Sequence, residues 1–267
     1  MSEALTTLLY TIQLCEKPPD LTYSMAVPDP ISDGLPHSLL EARDLGRRLS
    51  RDAAVSGISL TLNCGDVVGL LGLNGAGKST TLRMLCGVLV PDEGSVTVNG
   101  FSMSDSPLQA RQHIGYLPDE PPLYNDMRVK EYLRFAGRIR GLRGHRLNER
   151  QQTVTEQCLL QDVDSKLIGT LSKGFRQRVG LAQAMIHQPA VLLLDEPSNG
   201  LDPQQLDSMR KLIMEFGRSA AVILSTHLLA EAQAICNRVV IIHAGELVAD
   251  CPATGADLEL IFHGATT

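Results

Sequence analysis

The residues best suited to chemistry lie in GLLGLNGAGKSTTLRML, residues 69–85, where Gly72, Gly77, Lys78 and Ser79 satisfy G-x-x-x-x-G-K-[ST]. Glycines at this spacing let successive backbone N–H groups curl around a β-phosphate. An ammonium at Lys78 reaches the β and γ oxygens, and the Ser79 hydroxyl is a hard ligand for Mg2+. The motif follows a run with strand character and precedes a helical pattern, the context it requires. Nucleotide binding is therefore expected at this loop.

A phosphate loop alone does not choose among kinases, GTPases, motors and transporters. The second half of the chain adds AVLLLDEP, with Asp195 at the end of an apolar run and Glu196 directly after it. Adjacent carboxylates at the end of a buried strand are costly unless a cation or a reaction needs them. One can hold magnesium through water while the other faces an attacking water. In the run AVILSTH, His227 ends another buried strand, and at the carboxyl end of a parallel strand it points into the ligand crevice. LSKGFRQRVGLAQAMIHQP, residues 171–189, reads as a helix up to its proline, but it starts oddly. Lys173 faces the positive end of the helix dipole and Gly174 is a poor helix former. Ser172 is a good N-cap.

These residues need a scaffold, and the sequence supplies one. Apolar runs recur from Leu39 onward: ISLTL, DVVGLLG, SVTV, HIGYL, AVLLLD, AVILST and VVIIH. Unbroken runs such as AVLLLD predict strands buried on both faces, hence a parallel sheet covered by helices. The alternation in ISLTL and SVTV predicts antiparallel strands with one wet face. The stretch between Asp119 and Leu171 is longer than a crossover requires and carries helical spacing, which predicts an inserted helical subdomain at about 119–180. Residues 1–37, broken by Pro18, Pro19, Pro28, Pro30 and Pro36, predict a flexible extension, with TLLYTIQL as its one short apolar segment.

The 267 residues are 43% hydrophobic, ample for a core, and no internal repeat is present. No apolar run approaches the length of a membrane span. The six cysteines are scattered without a C-x-x-C pair or zinc spacing, which predicts reduced, buried thiols. A net charge of −6 argues against nucleic acid as the partner.

In this order GLNGAGKST, LSKGFRQR, LLLDEPSNGLDP and STH resemble the ABC-type ATPases, and the resemblance covers nearly everything from Leu39 onward. It implies an α/β fold: a P-loop NTPase core with a mostly parallel sheet, an antiparallel β subdomain and an inserted α-helical subdomain, here residues 38–267. It implies ATP and Mg2+ as cofactors, the phosphates bound at Gly72, Leu73, Asn74, Gly75, Ala76, Gly77, Lys78, Ser79 and Thr80, and two such domains packed head to tail, each ATP lying between one phosphate loop and the other subunit's LSKGF turn. Ser172 and Gly174 then face the partner's γ-phosphate, and Asp202 crosses to the opposite site. Asp195 becomes the magnesium-side carboxylate, Glu196 the catalytic base and His227 the switch histidine, with Lys78 counted among the catalytic groups. Leu49 falls where the family places an aromatic ring against adenine, with Val55 also among the nucleotide contacts. Asp119 stands where a longer glutamine usually reaches the metal.

EPPLYNDMRVKEYLRFAGRIRGLRGHRLNER also resembles cassettes that serve export-type permeases of the multidrug, antibiotic-resistance, sodium-efflux and gliding-motility kind. Its arginines (Arg134, Arg138, Arg140, Arg143, Arg146 and Arg150) are expected on a solvated helix face. The resemblance implies a peripheral subunit on the cytoplasmic face of a membrane, powering a permease on a separate chain. Two other readings stay open at this point. One is a soluble ATPase that assembles or remodels a complex; the other is a weakly hydrolysing regulatory subunit, suggested by Leu49 and Asp119.

Overall fold

The computed structural model describes residues 38–48, 54–254 and 258–266. The expected extension at 1–37 and the base contact expected at Leu49 lie outside these residues.

Strands β1 (Leu40–Arg48) and β2 (Ala54–Leu62) pair antiparallel, and β4 (Glu93–Val98) and β5 (Phe101–Ser102) complete a four-stranded sheet in the order β2-β1-β4-β5. A second sheet holds β3 (Val67–Leu71), β6 (Ile114–Leu117), β7 (Val191–Asp195), β8 (Ala221–Thr226), β9 (Arg238–His243) and β10 (Glu246–Pro252) in the order β10-β9-β3-β8-β7-β6. It is parallel except for β10, which returns antiparallel beside β9. Every residue of β3, β7 and β8 is buried, as expected of parallel strands covered on both faces.

Side chains alternate across a strand, and here the alternation divides two cores. Leu192, Leu194, Val222, Leu224, Val239 and Ile241 point into one core. Val191, Leu193, Ile223, Val240 and Ile242 point into the other, with Leu40, Leu45, Ile58, Leu60 and Val96 of the antiparallel sheet. Helix α1 (Lys78–Leu85) lies in this second core through Leu82, Met84 and Leu85.

Helix α2 (Pro107–Gln112) leads into β6. The segment between β6 and β7 then holds α3 (Val129–Ile139), α4 (Gly144–Gln157), two single 3-10 turns and α5 (Lys173–Met185), which pack into the first core through Val129, Tyr132, Leu133, Leu147, Val154 and Val179. Helices α6 (Pro203–Phe216), α7 (Leu229–Ile235) and α8 (Leu258–Thr266) follow β7, β8 and β10.

Several features differ from the sequence-based expectation. Strand β1, LEARDLGRR, was not among the predicted strands: its register shifts between Ala42 and Leu45, with Asp44 at φ +52°, so the alternation is broken inside the strand. Helix α5 stops at Met185, short of Pro189; Gln188, whose helical conformation the proline disfavours, sits at φ +56°. The arginines of the helical segment are not all solvated. Arg150 is half-buried, and its Nε and Nη2 donate to the carbonyls of Ile186 and Met185 at 3.2 Å, capping the end of α5. Arg140 Nη1 donates to the Arg111 carbonyl at 2.8 Å.

Cys86, Cys158 and Cys236 are buried free thiols, each pushed up to about 12 by burial, whereas Cys64, expected buried, is exposed.

Candidate functional site

The ends of β3, β7 and β8, adjacent in the parallel sheet, bring the site together. After Leu71 the chain turns through Gly72 to Gly77, the N-cap of α1. A side chain at Gly72 would collide with the Ile242 carbonyl, and Gly75 and Gly77 have φ of +83° and +107°. The loop therefore needs glycine at Gly72 for space and at Gly75 and Gly77 for backbone conformation. Val55, expected among the nucleotide contacts, is 2% exposed and packs beneath this turn; a Cβ on Gly77 would stand 3.0 Å from its Cγ2.

Lys78 is 6% exposed. Its Nζ donates to the carbonyls of Gly72 at 2.8 Å and Leu73 at 3.2 Å, and lies 3.6 Å from Glu196 Oε1. The ammonium is thus folded back under its own loop, where a phosphate would meet it. Ser79 Oγ donates to Asp195 Oδ1 at 2.9 Å. Glu196, just beyond the strand end, has φ +46°, a left-handed backbone that a residue with a side chain seldom adopts. This turn aims its carboxylate back at Lys78 and at His227, whose Nδ1 is 3.1 Å from Glu196 Oε2.

Two hydroxyls that the sequence reading did not assign hold this geometry. Ser225, fully buried, donates from Oγ to Asp195 Oδ1 at 2.6 Å and accepts the Glu196 N–H at 2.9 Å, so one side chain holds the Asp195 carboxylate and the backbone turn that carries Glu196. Thr226, also fully buried, donates to Glu231 Oε2 at 2.6 Å and accepts the Leu228 N–H at 3.1 Å, bracing the turn that carries His227. Their signal was present in AVILST: two hydroxyls ending a strand buried on both faces must find polar partners.

Among the described residues no three His, Cys, Asp or Glu side chains gather as a metal cage. Both hydroxyl donors to Asp195 fall on Oδ1, leaving the lone pairs of Oδ2 for a cation or its water. One buried carboxylate and one hydroxyl beside a phosphate cradle fit Mg2+, which keeps several waters and takes the rest of its shell from substrate phosphates. Asp119 is placed differently: its Oδ1 accepts from Asn199 Nδ2 at 3.1 Å, tying the end of β6 to the loop that follows Glu196.

A second constellation forms at the N-termini of α5 and α6. Ser172 Oγ accepts the Phe175 N–H at 3.4 Å as the N-cap of α5. Asp202 caps α6: its Oδ1 accepts the Gln205 N–H at 2.8 Å, while the Gln205 side chain reaches back to the Asp202 N–H. Gly174 packs against that Gln205 side chain, and a Cβ on Gly200 would stand 2.9 Å from Lys173 Cδ. Ser172, Lys173, Gly174, Gly200, Asp202 and Gln205 therefore form one surface. Among the described residues no hydrogen bond or ion pair joins it to Lys78, Ser79, Asp195, Glu196 or His227.

The sequence profile of the family described as ABC transporter matches residues 55–199. The ABC transporter ATP-binding protein NatA of Bacillus subtilis (strain 168) is 41% identical over 197 residues, 73% of this chain and 80% of that protein. Over 219 residues the chain is 36% identical to the Escherichia coli (strain K12) protein named "Probable multidrug ABC transporter ATP-binding protein YbhF", covering 81% of this chain and 38% of that longer one. A solved structure described as the ATP binding subunit of an ABC transporter superimposes with a TM-score of 0.78 at 30% identity, over 86% of this chain and 100% of the other. The fold is thus that of the ABC ATPases, whose ATP-binding subunits work with transmembrane components. Among the described residues no helix is long and apolar enough to cross a membrane. The chain belongs to the ABC transporter ATP-binding protein family, as a subunit that binds and hydrolyses ATP for a transporter.

Proposed function

We propose that two copies of this chain, or one copy and a homologous ATPase subunit, close head to tail around two ATP molecules and drive an export-type permease on a separate chain, from the cytoplasmic face of the membrane. Residues 38–267 form the ATP-binding domain, with a helical subdomain at about 119–180. Export is supported by the resemblance of residues 120–150 to export-type cassettes and by similarity to a relative named for multidrug transport.

In this reading the amides from Leu73 to Thr80 cradle the β- and γ-phosphates, and Lys78 leaves its carbonyl partners to neutralise them. Ser79 and Asp195 would hold Mg2+, which would supply charge neutralisation at the phosphates, and Asp119 would join them through water or by a shift of its strand end. Glu196 takes a proton from the attacking water as its oxygen bonds the γ-phosphorus and the bond to the β–γ bridging oxygen breaks, leaving ADP and phosphate. His227 holds the Glu196 carboxylate and the γ-phosphate in register. Ser172, Gly174 and the N-terminal amides of α5 receive the γ-phosphate bound by the partner subunit, and Asp202 faces the opposite site. Val55 supports the phosphate loop from beneath.

The observation that carries this reading is Glu196 held between Lys78, at 3.6 Å, and His227, at 3.1 Å, at the open end of β7. Glu196→Gln tests it. Phosphate release should fall by about 100-fold or more, the usual scale for loss of a general base, while ATP binding persists and ATP shifts the variant from monomer to dimer on size exclusion. Wild-type turnover in this variant would refute the assignment.

A further inference from the structure

The carboxylate of Glu231 lies behind the site and has no role in the reading above. It is 4% exposed, and it closes the turn carrying His227 from both sides: its backbone N–H donates to the Leu228 carbonyl at 3.1 Å, and its Oε2 accepts the Thr226 hydroxyl at 2.6 Å. Its other oxygen, Oε1, is buried without a hydrogen-bond partner. A buried carboxylate oxygen left unpaired is costly and calls for an explanation.

A complementary orphan stands on the neighbouring helix. Arg210, on α6, has a buried Nε with no partner. The two groups share one electrostatic neighbourhood: burial raises the Glu231 carboxyl above its ordinary value, the nearby Glu196 carboxylate raises it further, and Arg210 and His227 oppose the rise. Both orphans are buried, the guanidinium N–H on the helix capped by Asp202 and the carboxylate oxygen on the helix that follows His227, and these two helices pack against each other.

We propose that Glu231 is a positioning residue for His227, and that Glu231 and Arg210 form a latent ion pair that closes when α6 and α7 shift together as nucleotide draws two subunits closed. The pair links the Asp202 surface to the His227 turn, so that arrival of the partner at α6 tightens the histidine against Glu196. The inference rests on the proposed roles of Glu196 and His227.

Steady-state phosphate release by the full chain, measured across ATP concentrations, tests it with E231Q, R210M, R210K and the E231Q/R210M double variant. E231Q keeps an oxygen for Thr226 and loses only the charge. E231Q and R210M should each lower kcat by about tenfold with KM for ATP within about twofold and melting temperature nearly unchanged. The double variant should be no slower than the slower single one, because both singles remove one interaction. R210K, which keeps the charge, should recover most of the rate. Wild-type kcat in E231Q or R210M, multiplicative losses in the double variant, or a loss confined to KM would overturn the proposal. Should E231Q fail to fold, R210M and R210K still decide it, since Arg210 is only half-buried. Glu196→Gln separates the two claims: wild-type turnover there removes the hydrolytic reading itself, whereas a dead Glu196→Gln beside a fully active E231Q removes only the ion pair.

Discussion

The cluster at the ends of β3, β7 and β8 and the surface at the N-termini of α5 and α6 are built on opposite principles. The first is charged, largely buried and internally paired: Lys78 and His227 each meet the Glu196 carboxylate, and Ser79 and Ser225 share one oxygen of Asp195. The second is capped by its own side chains, and Ser172, Lys173, Gly200 and Asp202 are all exposed. A paired cluster can hold a ligand within one chain. A row of capped helix starts on an exposed surface offers its amides to a ligand held elsewhere.

Damage to the first region should therefore show in a single subunit, and damage to the second only in the assembly. The largest effect is expected from Lys78→Ala, which removes the phosphate ligand and a cation facing Glu196. ATP affinity measured by calorimetry should fall by about tenfold or more and phosphate release should be nearly abolished. Gly174→Ala should keep single-subunit ATP affinity and fold well, because the first atoms its Cβ meets are the flexible end of Gln205. It should still lose most turnover, because displacing Gln205 breaks its bond to the Asp202 N–H and disturbs the surface proposed to meet the partner's phosphate. Mixing the two variants sharpens the comparison. In a head-to-tail hybrid one of the two sites combines an intact phosphate loop with an intact LSKGF turn, so an equal mixture should regain roughly a quarter of wild-type activity from two inactive parents. No recovery would mean that both regions serve one site in the same chain.

Asp119→Ala should act more mildly. It removes the acceptor of Asn199 and leaves the phosphate ligands untouched, so ATP affinity should hold while magnesium-dependent hydrolysis drops a few-fold. The smallest effect belongs to the far end of α5. There His187 Nε2 donates to the Ile114 carbonyl at 3.0 Å, and burial, reinforced by the Arg140 charge, holds its imidazole down to about 3. The folded state binds this proton more weakly than the unfolded chain. Stability is therefore complete above about pH 6.5, the ordinary histidine value, and declines as pH falls from there towards 3. Thermal melting of wild type against His187→Gln should converge in acid; parallel curves would remove His187 from the account.

The glycines, Lys78, Ser79, Asp195 and His227 were legible because each sits at a fixed spacing beside an apolar run, and spacing is what a sequence displays. The parallel strands were legible for the same reason. The partners of Ser225, Thr226 and Glu231 were not: buried polar groups at AVILST signal that partners exist, but which ones depends on which strand end lies beside which, and 30 residues separate Ser225 from the Asp195 it orients. Strand β1 was hidden by its own bulge, and Arg150 by a carbonyl partner on a helix 35 residues away. Val55, read from the sequence as a nucleotide contact, is 2% exposed and packs against the phosphate loop at Gly77, a neighbour the sequence does not display.

The left-handed backbone of Glu196 has a consequence for selection. Such a conformation costs about 1–3 kcal/mol for a residue with a side chain and almost nothing for glycine. A population screened for heat resistance alone, with no demand that it hydrolyse ATP, would be expected to lose the glutamate there early. Retaining it under that pressure requires a transporter that has to run.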